Sequence, residues 1–85
     1  MKSFCYVIKD EVGLHARPAG LLAKEARKFQ SKITLTAEGK TAVATHLMML
    51  LSMGVKKGTE VTVTIDGDDE TEAYTAMEKF FSENL

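Results

Sequence analysis

Cysteine is almost absent from this sequence, with Cys5 the only one in 85 residues. That excludes an internal disulfide and any thiolate framework for a metal. Tryptophan is missing, and Pro18 is the only proline. No apolar run approaches the roughly 18–20 residues of a membrane-spanning helix. The opening Met1-Lys2-Ser3-Phe4 is no secretory signal either. Excess charge of one sign is also lacking. Eleven basic residues against 12 acidic ones leave a formal −1, so overall electrostatics give no support to nucleic-acid binding. A chain this short buries only about 60% of the surface it exposes when unfolded. It holds one modest core and no deep cleft for a large cofactor or a buried catalytic machine. The expectation is a cytoplasmic, monomeric, single domain over residues 1–85, with no cofactor and no metal.

What is present is patterning of both common periods. Phe4, Tyr6, Val7 and Ile8 suit a first strand over residues 2 to 8, followed by a loop from Lys9 to Leu14. From Ala16 to Phe29 the period becomes helical, with Leu22, Ala26 and Phe29 on one stripe. Ile33, Leu35 and Ala37 alternate with Lys32, Thr34 and Thr36, then Glu38-Gly39 turns the chain into a return strand over Lys40 to Val43. Thr45 to Met53 reads as a short helix with Thr45 as its N-cap and Gly54 as its stop. Val61, Val63 and Ile65 alternate in a fourth strand. Asp69 and Glu72 suggest a capping box for a last helix carrying Ala73, Met77, Phe80 and Phe81 on one face.

The order is β-α-β-β-α-β-α. Strands with one apolar face need cover, and helices with one apolar stripe supply it. The predicted fold is α+β: an open-faced β-sandwich, a four-stranded antiparallel sheet covered on one face by three helices. Thr34, Thr36, Thr62 and Thr64 suit the face left wet. Cys5, in a strand of mixed apolar content, is expected to be a buried or half-buried thiol.

The chemistry concentrates in Gly13-Leu14-His15-Ala16-Arg17-Pro18-Ala19. Proline is tolerated in the first turn of a helix, where its missing N–H would have no partner. Pro18 therefore puts a helix start within about three residues of His15. Opening amides of a helix are unpaired and carry partial positive charge, which makes an anion site. Arg17 adds a planar donor fork matched to phosphate oxygens. His15 is thus a candidate nucleophile beside a phosphate cradle formed by Ala16, Arg17 and Pro18. A histidine near a helix start is also a common surface residue, so spacing alone leaves both readings open.

The same seven residues resemble the active-site signature of HPr, the histidine-containing phosphocarrier family of the bacterial sugar phosphotransferase system. The resemblance extends along nearly the whole chain, through Gly39-Lys40-Thr41, Ser52-Met53-Gly54-Val55 and Lys57-Gly58. It implies the open-faced sandwich already predicted. It further implies that His15 takes a phosphoryl group on its δ nitrogen from phosphorylated enzyme I and passes it to enzyme IIA domains, with Arg17 steadying the phosphate. Such a chain is a stoichiometric relay, itself the substrate of other enzymes, linked to membrane permeases only through partners.

A docking surface is expected beside the histidine. Gly20, Leu21, Lys24 and Arg27, with Lys28 beyond them, lie on a helix face the core does not use, and an exposed apolar residue in a basic face attracts an acidic partner. In the second helix five apolar residues run together from Leu47 to Leu51. Leu50 and Met53 are expected to face the core, leaving Leu47, Met48 and Leu51 as a patch suited to several partners. The resemblance places a partner-binding patch on these same positions.

Three departures from the family stand out. Where Gram-positive relatives carry a kinase-regulated serine, this chain has His46, preceded by Thr45. Met49 replaces a common glycine, and Val12 replaces a small polar residue before Gly13. The missing serine leaves open a second function, a regulatory binding module docking on a partner protein. A nucleic-acid binder is disfavoured, because the wet sheet face offers threonines rather than stacking aromatics.

Overall fold

The strands arise where apolar and polar residues alternate, and left-handed backbone conformations turn the chain between them. A computed structural model describes residues 1–85. Its elements are β1 (Lys2–Val7), α1 (Ala16–Ala26), β2 (Lys32–Ala37), β3 (Lys40–Val43), α2 (Leu47–Ser52), β4 (Glu60–Asp66) and α3 (Glu70–Asn84). The strands form one antiparallel sheet in the order β1-β4-β2-β3. Both the element order and the architecture agree with the periodicity.

Ile33, Leu35 and Ala37 of β2 and Val61, Val63 and Ile65 of β4 are buried on one face. Thr34, Thr36, Thr62 and Thr64 sit half-covered on the other. Phe4 and Tyr6 lie opposite Val63 and Val61, so they share the covered face. Both meet Phe81 of α3 edge to face, with centroids 5.9 and 5.6 Å apart, an arrangement favoured by the ring quadrupoles. Leu22 and Ala26 of α1, Leu50 of α2, and Ala73, Met77 and Phe81 of α3 join the same buried cluster. The β2–β3 connection is a two-residue hairpin in which Glu38 and Gly39 both have positive φ, 50° and 79°. That turn matches the twist of the strands it joins.

Several local expectations are corrected. Helix α1 stops at Ala26, and Lys28 and Phe29 follow in tight turns whose amides reach carbonyls three residues back. Helix α2 is shorter than Thr45 to Met53, and its N-cap is His46, not Thr45. The Thr45 carbonyl instead accepts a hydrogen bond from Arg27 at 3.0 Å, a tertiary partner that local propensity does not foresee. No capping box forms between Asp69 and Glu72. The Asp69 carboxylate accepts the amides of Gln30 and Ser31 and the Ser31 hydroxyl, clasping the α1–β2 turn to the start of α3. Those bonds, the Ser31 hydroxyl first, hold the Asp69 carboxyl below the usual carboxylate range. Cys5 is exposed, because odd-numbered residues of β1 point away from the helices, and its Sγ lies 3.6 Å from the Thr62 hydroxyl on the wet face.

Candidate functional site

The loop from Lys9 to His15 is tied to the rest of the molecule on two sides and braced from within. The amides of Lys9 and Asp10 donate to the Leu85 carbonyl at 2.6 and 2.9 Å, which brings the end of α3 to the loop. The Leu14 amide donates to the Val55 carbonyl at 3.0 Å, joining the loop to the segment after α2. Within the loop, the Asp10 carboxylate accepts the amides of Val12 at 3.2 Å and Gly13 at 3.1 Å. Gly13 is required for this crossing. Its φ is +84°, and a Cβ there would lie 2.7 Å from the Lys56 Cα and closer still to the Val55 carbonyl oxygen.

The loop delivers His15 to the N-cap of α1 in an extended conformation, φ −106° and ψ −174°. The His15 carbonyl takes the Ala19 amide at 2.9 Å. Pro18 has no N–H, so the Ala16 and Arg17 amides are the two opening donors with no carbonyl in the helix to reach. No acidic residue occupies the first turn, and the partial positive charge of the helix start is uncompensated there. The His15 side chain is 42% exposed, and its Nε2 lies 3.6 Å from an Asp10 carboxylate oxygen. Arg17 is exposed, while Pro18 is buried at the base of the turn. His15, Arg17, Pro18 and Leu21 line one shallow depression with Asp10, Glu83 and Asn84. An uncovered imidazole beside two free amides and a guanidinium can receive a small oxyanion. No group of three or more His, Cys, Asp or Glu side chains is placed to hold a metal.

The expected docking residues divide. Leu21 is 44% exposed, Lys24 is exposed on the same helix and Arg27 at its C-cap, and Gly20 is half-covered. A side-chain carbon on Gly20 would touch nothing within 4 Å. On α2, Met48 is 76% exposed, whereas Leu47 and Leu51 are half-buried and pack against the core with one edge open. Leu50 and Met53 are buried, as their spacing predicts. Met49, which spacing left unassigned, is also exposed, and the His46 Nδ1 sits 3.2 Å from its sulfur. Arg27 bridges the end of α1 to the approach to α2, so the basic and apolar patches form one surface.

Asp10, Glu83 and Asn84 were not foreseen as site residues. An aspartate three residues before a glycine is a local signal for a side chain capping its own loop, which identifies Asp10. Glu83 and Asn84 give no such signal, since they arrive from the far end of the chain.

Fold and site together define a small phosphocarrier. The family model described as "PTS HPr component phosphorylation site" matches residues 2–83. The phosphocarrier protein HPr of Mycoplasma capricolum subsp. capricolum is 46% identical over 79 residues, 93% of this chain and 89% of that protein. HPr of Mycoplasma genitalium is 42% identical over 85 residues, covering 99% and 97%. The solved structure of a mycoplasma histidine-containing phosphocarrier protein superposes with a TM-score of 0.91 at 44% identity, covering 93% of this chain and 90% of that one. The Bacillus subtilis catabolite repression protein Crh, in a swapped dimer, gives 0.77 at 38% identity over 94% and 92%. The chain belongs to the HPr family and is a phosphocarrier of the phosphotransferase system.

Proposed function

We propose that His15 accepts the phosphoryl group on Nδ1 from phosphorylated enzyme I and donates it to enzyme IIA domains of sugar transporters. The observation that carries this reading is the exposed imidazole at the N-cap of an eleven-residue helix whose first two amides are free. The Nε2 edge of the ring is turned toward Asp10, which leaves Nδ1 as the edge for phosphate. Phosphate oxygens on the ring meet the Ala16 and Arg17 amides and the Arg17 guanidinium. Each such hydrogen bond to a charged group contributes roughly 1.5–3 kcal/mol at most. Moderate grip suits a relay, because a phosphate held more tightly could not be handed on.

Docking falls to the surface beside the ring. Leu21, Lys24 and Arg27 with Gly20 provide a basic rim, and Leu47, Met48 and Leu51 an apolar centre. That composition fits a partner with an apolar contact ringed by acids, encountered quickly and released quickly. The carrier acts as a cytoplasmic monomer and needs no cofactor or metal.

The test is incubation with phosphoenolpyruvate and enzyme I, followed by detection of an acid-labile phosphate, with His15→Ala as control. Labelling of the natural protein and none of the variant is expected. Absence of label on the natural protein would leave the second reading, a regulatory docking module, which the likeness to Crh favours.

A further inference from the structure

An imidazole can attack phosphorus only through the nitrogen that carries no proton. In the neutral ring one nitrogen holds the proton and the other the free electron pair, and the partner of the protonated nitrogen decides which is which. At His15 that partner is in place. One Asp10 carboxylate oxygen lies 3.6 Å from Nε2, slightly beyond a direct hydrogen bond. Hydrogen bonds of this kind are commonly long in the resting state and tighten when the reaction complex forms. The same oxygen is fixed by the amides of Val12 and Gly13, so the carboxylate has little freedom to swing away. The backbone at Asp10 is itself anchored, its amide bound to the Leu85 carbonyl. Val12 offers the ring no polar group, and the other charged side chains of the depression are Arg17 and Glu83.

We infer that Asp10 is a positioning residue that holds the proton of His15 on Nε2 and so keeps the electron pair on Nδ1, facing the phosphoryl donor. This rests on His15 being the phosphoryl acceptor. On acceptance the Nδ1 pair forms the N–P bond, and the bond from phosphorus to the donor breaks with its electron pair leaving on the donor. The proton stays on Nε2, and the positive charge the ring gains is offset by the Asp10 carboxylate. On donation the N–P bond breaks, its pair returns to Nδ1, and the proton again stays where it was. No proton has to be lost or found at either handover.

Asp10→Asn separates this role from the loop-holding one, because the amide oxygen of asparagine still accepts the Val12 and Gly13 amides while the charge is gone. Three measurements on the full-length protein decide the matter. Nitrogen-15 NMR of the neutral His15 ring should show the Nε2–H form dominant, and Asp10→Asn should shift population toward Nδ1–H. The rate of phosphoryl acceptance from phosphorylated enzyme I should fall roughly ten- to a hundredfold in Asp10→Asn, with KM for enzyme I and the thermal midpoint unchanged. Asp10→Glu should recover part of the rate. Dominance of Nδ1–H in the natural protein overturns the inference whether or not a variant folds. An unchanged rate in Asp10→Asn, or a loss matched by a lowered thermal midpoint with no tautomer shift, also overturns it. If His15→Ala still accepts phosphate, it is the acceptor assignment that fails instead.

Discussion

A phosphoryl group that is to be passed on must be gripped by groups already waiting and by no others. On the function proposed for His15, the waiting groups are two amides and one guanidinium, set out by a single helix start. Because Arg17 is exposed, Arg17→Ala should slow transfer about tenfold or more while changing unfolding free energy by less than about 0.5 kcal/mol. Stopped-flow transfer rates and urea unfolding check the two halves separately, and a large stability loss would contradict the assigned role. Asp69 gives the clearest pH dependence. Its folded carboxyl is held below the ordinary range, so it contributes stability that is complete above the unfolded carboxylate range. That contribution is lost as pH falls through about 4 and below. Asp69→Asn should therefore lower the urea midpoint at neutral pH and flatten its decline in acid. A variant whose acid limb parallels that of the natural protein would count against this.

At the scale of elements, the site depends on how two loops cross. Gly13 passes over Val55 and Lys56 with a left-handed backbone, and both the space and the φ exclude a side chain. Gly13→Ala should destabilise the fold by about 2–3 kcal/mol and slow transfer as well, since the displaced loop carries Asp10 and His15. Calorimetry and transfer kinetics on the same variant test both. Helix α2 sits differently. It is short, its Leu50 is buried and its Met48 is almost free. Met48→Glu should weaken partner binding by about 1–2 kcal/mol while leaving the thermal midpoint in place. Titration calorimetry against a partner domain measures the first, and unaltered binding would remove Met48 from the docking surface.

Across the whole molecule, the sheet is covered on one face only, and α3 supplies most of the aromatic cover over β1. Phe81 is fully buried and touches both Phe4 and Tyr6. Phe81→Ala should cost about 3–5 kcal/mol, enough to leave a domain of this size marginal at best. Equilibrium urea denaturation reads this directly. The same helix ends beside His15, so packing in α3 and geometry at His15 are linked through Leu85, Glu83 and Asn84.

Local patterning was sufficient for the order of strands and helices and for a helix start at His15, because periodicity, a turn pair and a proline in a first turn act over a few residues. Chain order and one-sided apolar faces then limited the architecture to an open sandwich. Three things could not be read this way. Thr45 looked like a cap, but the N-cap of α2 is His46; Asp69 does stand at the N-cap of α3, yet its carboxylate is taken by Gln30 and Ser31 instead of the helix's own amides. Cys5 looked buried because strand composition does not say which of two faces a residue takes until the register is set. Asp10, Glu83 and Asn84 joined the site only when folding brought the end of α3 onto the loop before His15. A histidine and the helix it caps are neighbours along the chain, whereas most of what surrounds them is gathered through space, and only packing chooses those neighbours.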